Sequence, residues 1–414
     1  MTSSLKKYFP YLLPLLLIFS RSVADITIIL VGLLFLYRSH TVIGWEWFRE
    51  KWFWFALIFS VYCLTYNSTM SIYPDETFAY SLFFIRWPIF AMALAYWILN
   101  DKTSLRKFLV SMTLILIFII FDTWWQFFFQ HDLFGFEIYA HNRLTGPLKG
   151  NPHVGLWIAK LALLPPLFLI FYDQLKLKKF QNYLIYLFFI ISTILFLTVF
   201  ITGERMSMLL ILSSIIIFFI GLLFNKAFSL KRTFFLLLIS IFLVSIFAYS
   251  FPDVTQRAFF STINKILNWR TSDYGIVWQS AYDVWMKSPI VGVGLHKYRE
   301  ACESLIIYGH SYSSSISGGV CYHPHNISLH LLSETGIIGF VLFYLMVLTL
   351  AITSLKTYLV KHLWLSFALV FNIIFSCFLP FASGMNFFSN KYGAIIWLMV
   401  GVMLATNRLY AREK

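Results

Sequence analysis

Residues 321–340 read CYHPHNISLHLLSETGIIGF, and the change of character at Asn326 decides the fold. The first six residues are polar; the rest open an apolar run reaching about residue 353. Pro324 fixes its own φ and drives His323 towards an extended conformation. Asn326 is a good helix N-cap, so the spacing predicts a helix from Ile327. His325 then stands at the mouth of a membrane helix, facing water. Imidazole is the side chain best suited to proton transfer near neutral pH. The plainer reading is an interfacial His-Pro turn without chemistry.

Working outward, the chain has 414 residues, of which 59% are hydrophobic and 12% charged. Mean hydropathy is +0.76. That balance excludes a soluble globular domain and predicts an all-α polytopic membrane protein. Apolar runs at about 8–20, 23–37, 52–66, 79–99, 107–129, 154–172, 182–201, 206–224, 233–250, 327–353, 361–380 and 388–407 give about twelve expected transmembrane helices. The first three are short for a crossing, and the first two would also suit a hairpin that does not fully cross. The N-terminal run carries Lys6 and Lys7 but no clean small-x-small cleavage site, so it reads as a retained span.

The charge pattern orients these helices. With Lys6 and Lys7 in the cytoplasm, alternate loops carry Arg38, Arg49 and Lys51; Lys102, Arg106 and Lys107; Lys176, Lys178 and Lys179; Lys226, Lys231 and Arg232; Lys356 and Lys361; then Arg408, Arg412 and Lys414. Residues 66–80, on the other side, carry none. Both termini are therefore expected in the cytoplasm. The net charge of +14 follows from this rule, with no nucleic-acid motif to suggest another origin. Residues 1–250 form spans one to nine, 251–326 a long extracytoplasmic loop, and 327–414 the last three spans. A polar loop of that length is uncommon unless functional. A helix is expected in GIVWQSAYDVWMKSP, residues 275–289.

Several cations break the pattern. Arg86 sits in the apolar SLFFIRWPIF, and Arg205 in ITGERMSML. Arg143 and Lys149 lie in a smaller outer loop, 130–153; Arg257, Arg270 and Arg299 lie in the large one. A charge within the membrane is expensive and usually faces a cavity and a partner. Arginine grips phosphate oxygens with a planar fork, so this group suggests an anionic ligand at the outer face. The competing reading is snorkelling, or pairing with Glu204, Asp253 or Asp273. Glu334 lies two turns into the helix that His325 precedes, where it would orient a basic partner or bond within the bundle. Gly336 and Gly339 suit close approach of another helix. Cys63 and Cys377 lie in apolar runs and read as packing residues. Cys302 and Cys321 share the long outer loop, in an oxidising compartment, and are expected to form a disulfide.

Together these features resemble the O-antigen ligase family and its wider group of ligases and O-antigen polymerases. The family motif is a His followed by Asn, Ser or Gln, nine residues, then Gly-x-x-Gly. Here it is His325-Asn326, nine residues, and Gly336-Ile337-Ile338-Gly339. SPIVGVGLHKYREAC, CYHPHN, GPLKGNPHVG and TGERMSML are further pieces similar to the family. The resemblance implies a GT-C-like fold in the bacterial inner membrane. It implies transfer of a glycan from undecaprenyl pyrophosphate to the lipid A-core at the periplasmic face, with inversion. It places the essential His at His325 and the donor-binding arginines at Arg205 and Arg86. An essential loop arginine falls to Arg270, Arg299 or Arg257, because relatives carry one just before the tryptophan that is Trp278 here, where this chain has Asp273 and Tyr274. Asn326, Glu334, His323 and Arg143 are expected in support.

Arginines can stabilise a pyrophosphate leaving group unaided, and no outer-loop carboxylate cluster has metal-site spacing, so neither metal nor cofactor is expected. The partners are the lipid-linked donor, the lipid A-core and membrane lipids. The nearest alternative is an O-antigen polymerase with a lipid-linked acceptor. From another class comes a lipid or glycan transporter, which would not need the long loop and commonly shows paired repeats, absent here.

Overall fold

The computed structural model describes residues 3–139, 143–148, 152–171, 174–224, 230–307, 321–380 and 385–412. Lys149, Lys226, Lys414 and residues 308–320 lie outside them. Among the described residues, regular structure is helical apart from two isolated bridges, His131 with Glu137 and Tyr139 with Arg143.

Among the described residues, nine helices are long and apolar enough to cross a membrane: Arg21–Ile43, Pro74–Ile98, Lys102–Phe129, Val154–Phe171, Tyr183–Ile201, Arg205–Phe224, Lys231–Ser250, Ile327–Val360 and Asn390–Arg412. The expectation of about twelve is met in part. Tyr8–Ile18 and Trp364–Phe378 are apolar but shorter. The third run folds as Lys51–Tyr62, 12 residues, continued by a π turn over Cys63–Asn67. Pro165 and Pro166 cut the run at 154–172 into an α-helix, Val154–Leu161, and a 3₁₀ segment, Pro165–Phe171. Buried Lys160 donates to the carbonyl of Ser376, near the C-terminus of Trp364–Phe378, where helix carbonyls lack intrahelical donors.

Asn326 caps Ile327–Val360, its Oδ1 accepting from the Leu329 amide at 3.1 Å. This 34-residue element is not one rod. Gly336 breaks it with φ +62° and ψ −170°. The helix beyond the break is long enough to cross alone, so the first nine residues serve another purpose. The turn before His296 docks into the break. Amides of Val293 and Gly294 donate to carbonyls of Ser333 and Glu334, and those of Ile337 and Ile338 donate to Pro289 and Ile290. Asn67 ties the same turn to the membrane helices, donating to the Val291 carbonyl at 2.8 Å and accepting from the Leu295 amide at 3.0 Å. A Cβ on Gly336 would stand 2.2 Å from the Ile290 carbonyl oxygen. Gly336 thus admits a loop, not the helix that the Gly-x-x-Gly spacing suggests; Gly339 packs towards Tyr62 on the preceding short helix.

The long loop contains helices Ser261–Leu267, Asp273–Lys287 and Tyr298–Ile307. Ser272 caps the second through the Gly275 amide at 3.2 Å. Cys302 and Cys321 are joined by a disulfide, with Cα atoms 5.4 Å apart. With Ala281, Val284, Val293, Tyr298 and Ala301 they form a second small core, separate from that of the bundle.

Candidate active site

Four chain turns meet around His325. The first is the loop after Lys102–Phe129. Gln126, buried at the end of that helix, accepts the amides of Thr145 and Gly146 at 2.8 and 2.9 Å. Asp122 accepts the Leu133 amide at 2.9 Å. Polar side chains on the last turns therefore hold the loop down. Arg143 sits in its bridge, donating from Nη2 to the Pro152 carbonyl at 3.1 Å.

The second turn, Thr202-Gly203-Glu204, links two spans. Glu204 is 6% exposed and accepts from the Gly155 amide at 2.7 Å, the Leu156 amide at 3.3 Å and Ser207 Oγ at 2.8 Å. Burial pushes its carboxyl up to about 7, while these donors and the Arg143 charge favour the ion. Gly203 adopts φ +67°, and a Cβ there would stand 3.0 Å from Arg257 Nε. Arg257 comes from the third turn, Gln256–Phe260. Arg205 binds beside it: Nε donates to the Arg257 carbonyl at 3.5 Å and Nη2 to Ser261 Oγ at 2.8 Å.

Arg143, Arg205 and Arg257 thus sit within electrostatic reach of one another. Burial, then the Arg143 and Arg205 guanidiniums, weigh against the charge on Arg257, and Glu204 offsets them only in part. Arginine stays ionised regardless, so the cluster is a preformed positive field. Tyr274, near the start of Asp273–Lys287, joins it through a side-chain hydrogen bond with Arg205; burial raises its phenol above the ordinary range, and the arginines oppose that.

His325 belongs to the fourth turn. Its ring meets Tyr274 edge-on at 5.9 Å and lies 3.9 Å from that of His323, which is buried. His325 has φ +51°, uncommon for a residue with a Cβ and a mark of a position held by its surroundings. His153 shares the neighbourhood. Burial first, then the charges of Arg143, His325 and Lys391, push its imidazole down to about 3, so it is neutral at ordinary pH.

The other expected residues lie apart from these contacts. Arg86 pairs with Asp25 at 3.4 Å, donates to Asn390 Oδ1 at 2.9 Å and lies over the Trp87 ring. Its helix restarts at Arg86 after Ile85, level with the beginning of Asn390–Arg412 and the first turns of Arg21–Arg38. Arg86 is therefore held by the first turns of two other helices. Arg270 is exposed on the 3₁₀ turn Trp269–Thr271. Arg299 is exposed and pairs with Glu303 at 2.8 Å. Glu334 is 1% exposed; it meets His330 at 3.1 Å and accepts the amides of His296 and Tyr298 at 2.8 and 3.2 Å. Its oxygens hold the docked turn. Among the described residues, no group of three or more His, Cys, Asp or Glu side chains is arranged to hold a metal ion.

Sequence reading did not single out His153, Lys391 or Asp25, and took Tyr274 as a departure from the family pattern. His153 lies within GPLKGNPHVG, a local signal that could have found it; Lys391, Asp25 and Tyr274 lie far along the chain from their partners. Residues 157–344 match the family model described as O-antigen ligase. The matched segment holds Glu204, Arg205, Arg257, Tyr274, His325 and Gly336, while Arg86 and Arg143 lie outside it. No curated protein matches the chain.

Proposed function

From a chain whose residues 157–344 match the family model described as O-antigen ligase, we propose an O-antigen ligase that moves a glycan from undecaprenyl pyrophosphate to the lipid A-core at the outer face of the bacterial inner membrane. The observation that carries this reading is the convergence of Arg143, Arg205 and Arg257 next to Tyr274 and His325. A pyrophosphate leaving group needs that field, preformed and partly out of water. In the proposed step the acceptor hydroxyl oxygen attacks the anomeric carbon. The bond from that carbon to the phosphate oxygen breaks, and its electron pair leaves with the pyrophosphate. The hydroxyl proton passes to the His325 imidazole. Attack opposite the leaving group inverts the anomeric centre.

In this reading the donor phosphates fall to Arg143, Arg205 and Arg257, while Arg270 and Arg299 stay outside. Asn326 fixes the helix start after His325, His323 packs its ring, and Glu334 holds the docked turn. A polymerase would use the same centre with a lipid-linked acceptor. The test supplies purified protein with lipid-linked glycan and each acceptor in turn, with EDTA throughout. Transfer onto lipid A-core is expected. Product with the lipid-linked acceptor alone makes the protein a polymerase. No transfer to either, or transfer that needs Mg²⁺ restored, overturns the proposed mechanism.

A further inference from the structure

Beside Asn390 lies a cavity of about 210 Å³, lined by Asp25, Tyr80, Arg86, Trp87, His296 and Asn390, among others. Its polar wall is a closed triangle. Arg86 Nη2 donates to Asp25 Oδ1 at 3.4 Å and to Asn390 Oδ1 at 2.9 Å, and Asn390 Nδ2 donates to Asp25 Oδ2. Its apolar wall is aromatic. Tyr80 stacks on the His296 ring at 4.1 Å with planes 3° apart, and Trp87 lies beneath the Arg86 guanidinium.

Two observations mark this as more than a packing gap. Arg86 Nε is buried and has no hydrogen-bond partner among the described residues, an expensive omission for a charged donor. His296 holds φ +67°, and Glu334 Oε2 fixes it there through the His296 amide at 2.8 Å. A left-handed histidine, over-determined by a buried carboxylate, is strain of the kind that clusters at ligand sites. Here it sets the imidazole flat against Tyr80.

We propose that this cavity is a saccharide subsite. Ion pairing between Asp25 and Arg86 leaves little net charge, which argues against a phosphate and contrasts with the arginine cluster. A sugar ring offers what the walls need: an apolar face of C–H bonds for an aromatic plane, and hydroxyls that donate to Asp25 while accepting from Arg86 and Asn390. The volume suits a single ring. Glu334, on the helix that His325 precedes, accepts the His296 amide, so one helix joins the subsite wall to the candidate centre. The sugar belongs either to the acceptor or to the donor glycan. The proposal rests on the glycan-transfer reading only for where that sugar comes from.

The test uses the full chain in nanodiscs. Soluble acceptor-core oligosaccharide and oligosaccharide released from the donor are each titrated by saturation-transfer NMR, and transfer kinetics are measured with each substrate varied. Wild type is expected to bind one of them saturably. Tyr80→Ala and Asp25→Asn are expected to weaken that binding and raise the KM of the same substrate about tenfold, with kcat little changed. Tyr80→Phe, which keeps the ring, restores binding and guards against misfolding. A raised KM for the acceptor assigns the subsite to the acceptor, and for the donor to the donor glycan. If wild type binds neither oligosaccharide, or both variants match wild type in binding and KM, the subsite is overturned while glycan transfer stands. Saccharide binding lost in Tyr80→Ala, in a protein that transfers nothing, upholds the subsite and removes the transferase reading.

Discussion

His325 shows what one residue's surroundings decide. Its backbone is left-handed, its ring is bracketed by His323 and Tyr274, and the cation field of Arg143, Arg205 and Arg257 lies beyond Tyr274. His325→Ala should lower transfer by at least about 10²-fold, the usual share of a general base, with insertion and melting temperature unchanged. Arg205→Lys should recover only part of the loss in Arg205→Ala, because a point charge replaces a fork that now reaches both Ser261 and the Arg257 carbonyl. Donor kcat/KM for the three proteins decides this; equal values would make Arg205 a membrane-edge anchor. Glu204 sets a pH dependence of stability. Its folded carboxyl titrates at about 7 against an ordinary 4.5, so between those values only the folded state keeps the proton. Stability is full below pH 4.5 and falls as pH rises towards 7, by on the order of 3 kcal/mol. Melting temperatures should show that decline in wild type and a flatter profile in Glu204→Gln.

At the scale of elements, the broken Ile327–Val360 helix holds the turn at residues 289–294 to the bundle. Its N-cap was legible in the sequence, since Asn before an apolar run is a local signal and the Asn326 bond spans three residues. The break was not. Gly-x-x-Gly spacing is shared by helices that approach helices and by helices that open for a loop, and only the incoming segment tells them apart. Here that segment is 289–294, more than forty residues upstream. Gly336→Ala combines φ +62° with a Cβ 2.2 Å from the Ile290 carbonyl oxygen. It should cost about 2 kcal/mol or more and reduce transfer as His296 and His325 lose their register. A thermal melt beside the transfer assay checks both; an unchanged melt would mean the loop docks by other means. The Cys302–Cys321 bond, closing 19 residues, adds roughly 3 kcal/mol to the same anchoring in the chain-entropy model.

Across the whole molecule, the spans alternate so that the turns bearing Arg143, Glu204, Arg257, His325 and Lys391 meet at one end of the bundle. By the positive-inside rule the basic-loop pattern leads us to expect that end outside. Leu267→Cys, on the exposed rim of the long loop, should therefore react with an impermeant maleimide in intact spheroplasts, and Lys361→Cys only after permeabilisation. The reverse result would turn the protein over in the membrane. Hydropathy and capping are local properties, so the sequence by itself determined an all-helical chain with several candidate membrane spans and the helix that His325 precedes. The sequence could not rank the arginines. Arg299, expected to bind the donor, instead pairs with Glu303 at the four-residue spacing of helix neighbours. Arg86 and Arg205 both sit in apolar flanks and Arg257 in a polar loop, yet Arg205 and Arg257 lie together and Arg86 apart, because a charge is defined by what lies within a few ångströms of it. Tertiary packing alone brought Asp25, 61 residues away, to Arg86, and gathered Arg143, Arg205 and Arg257 around one buried carboxylate.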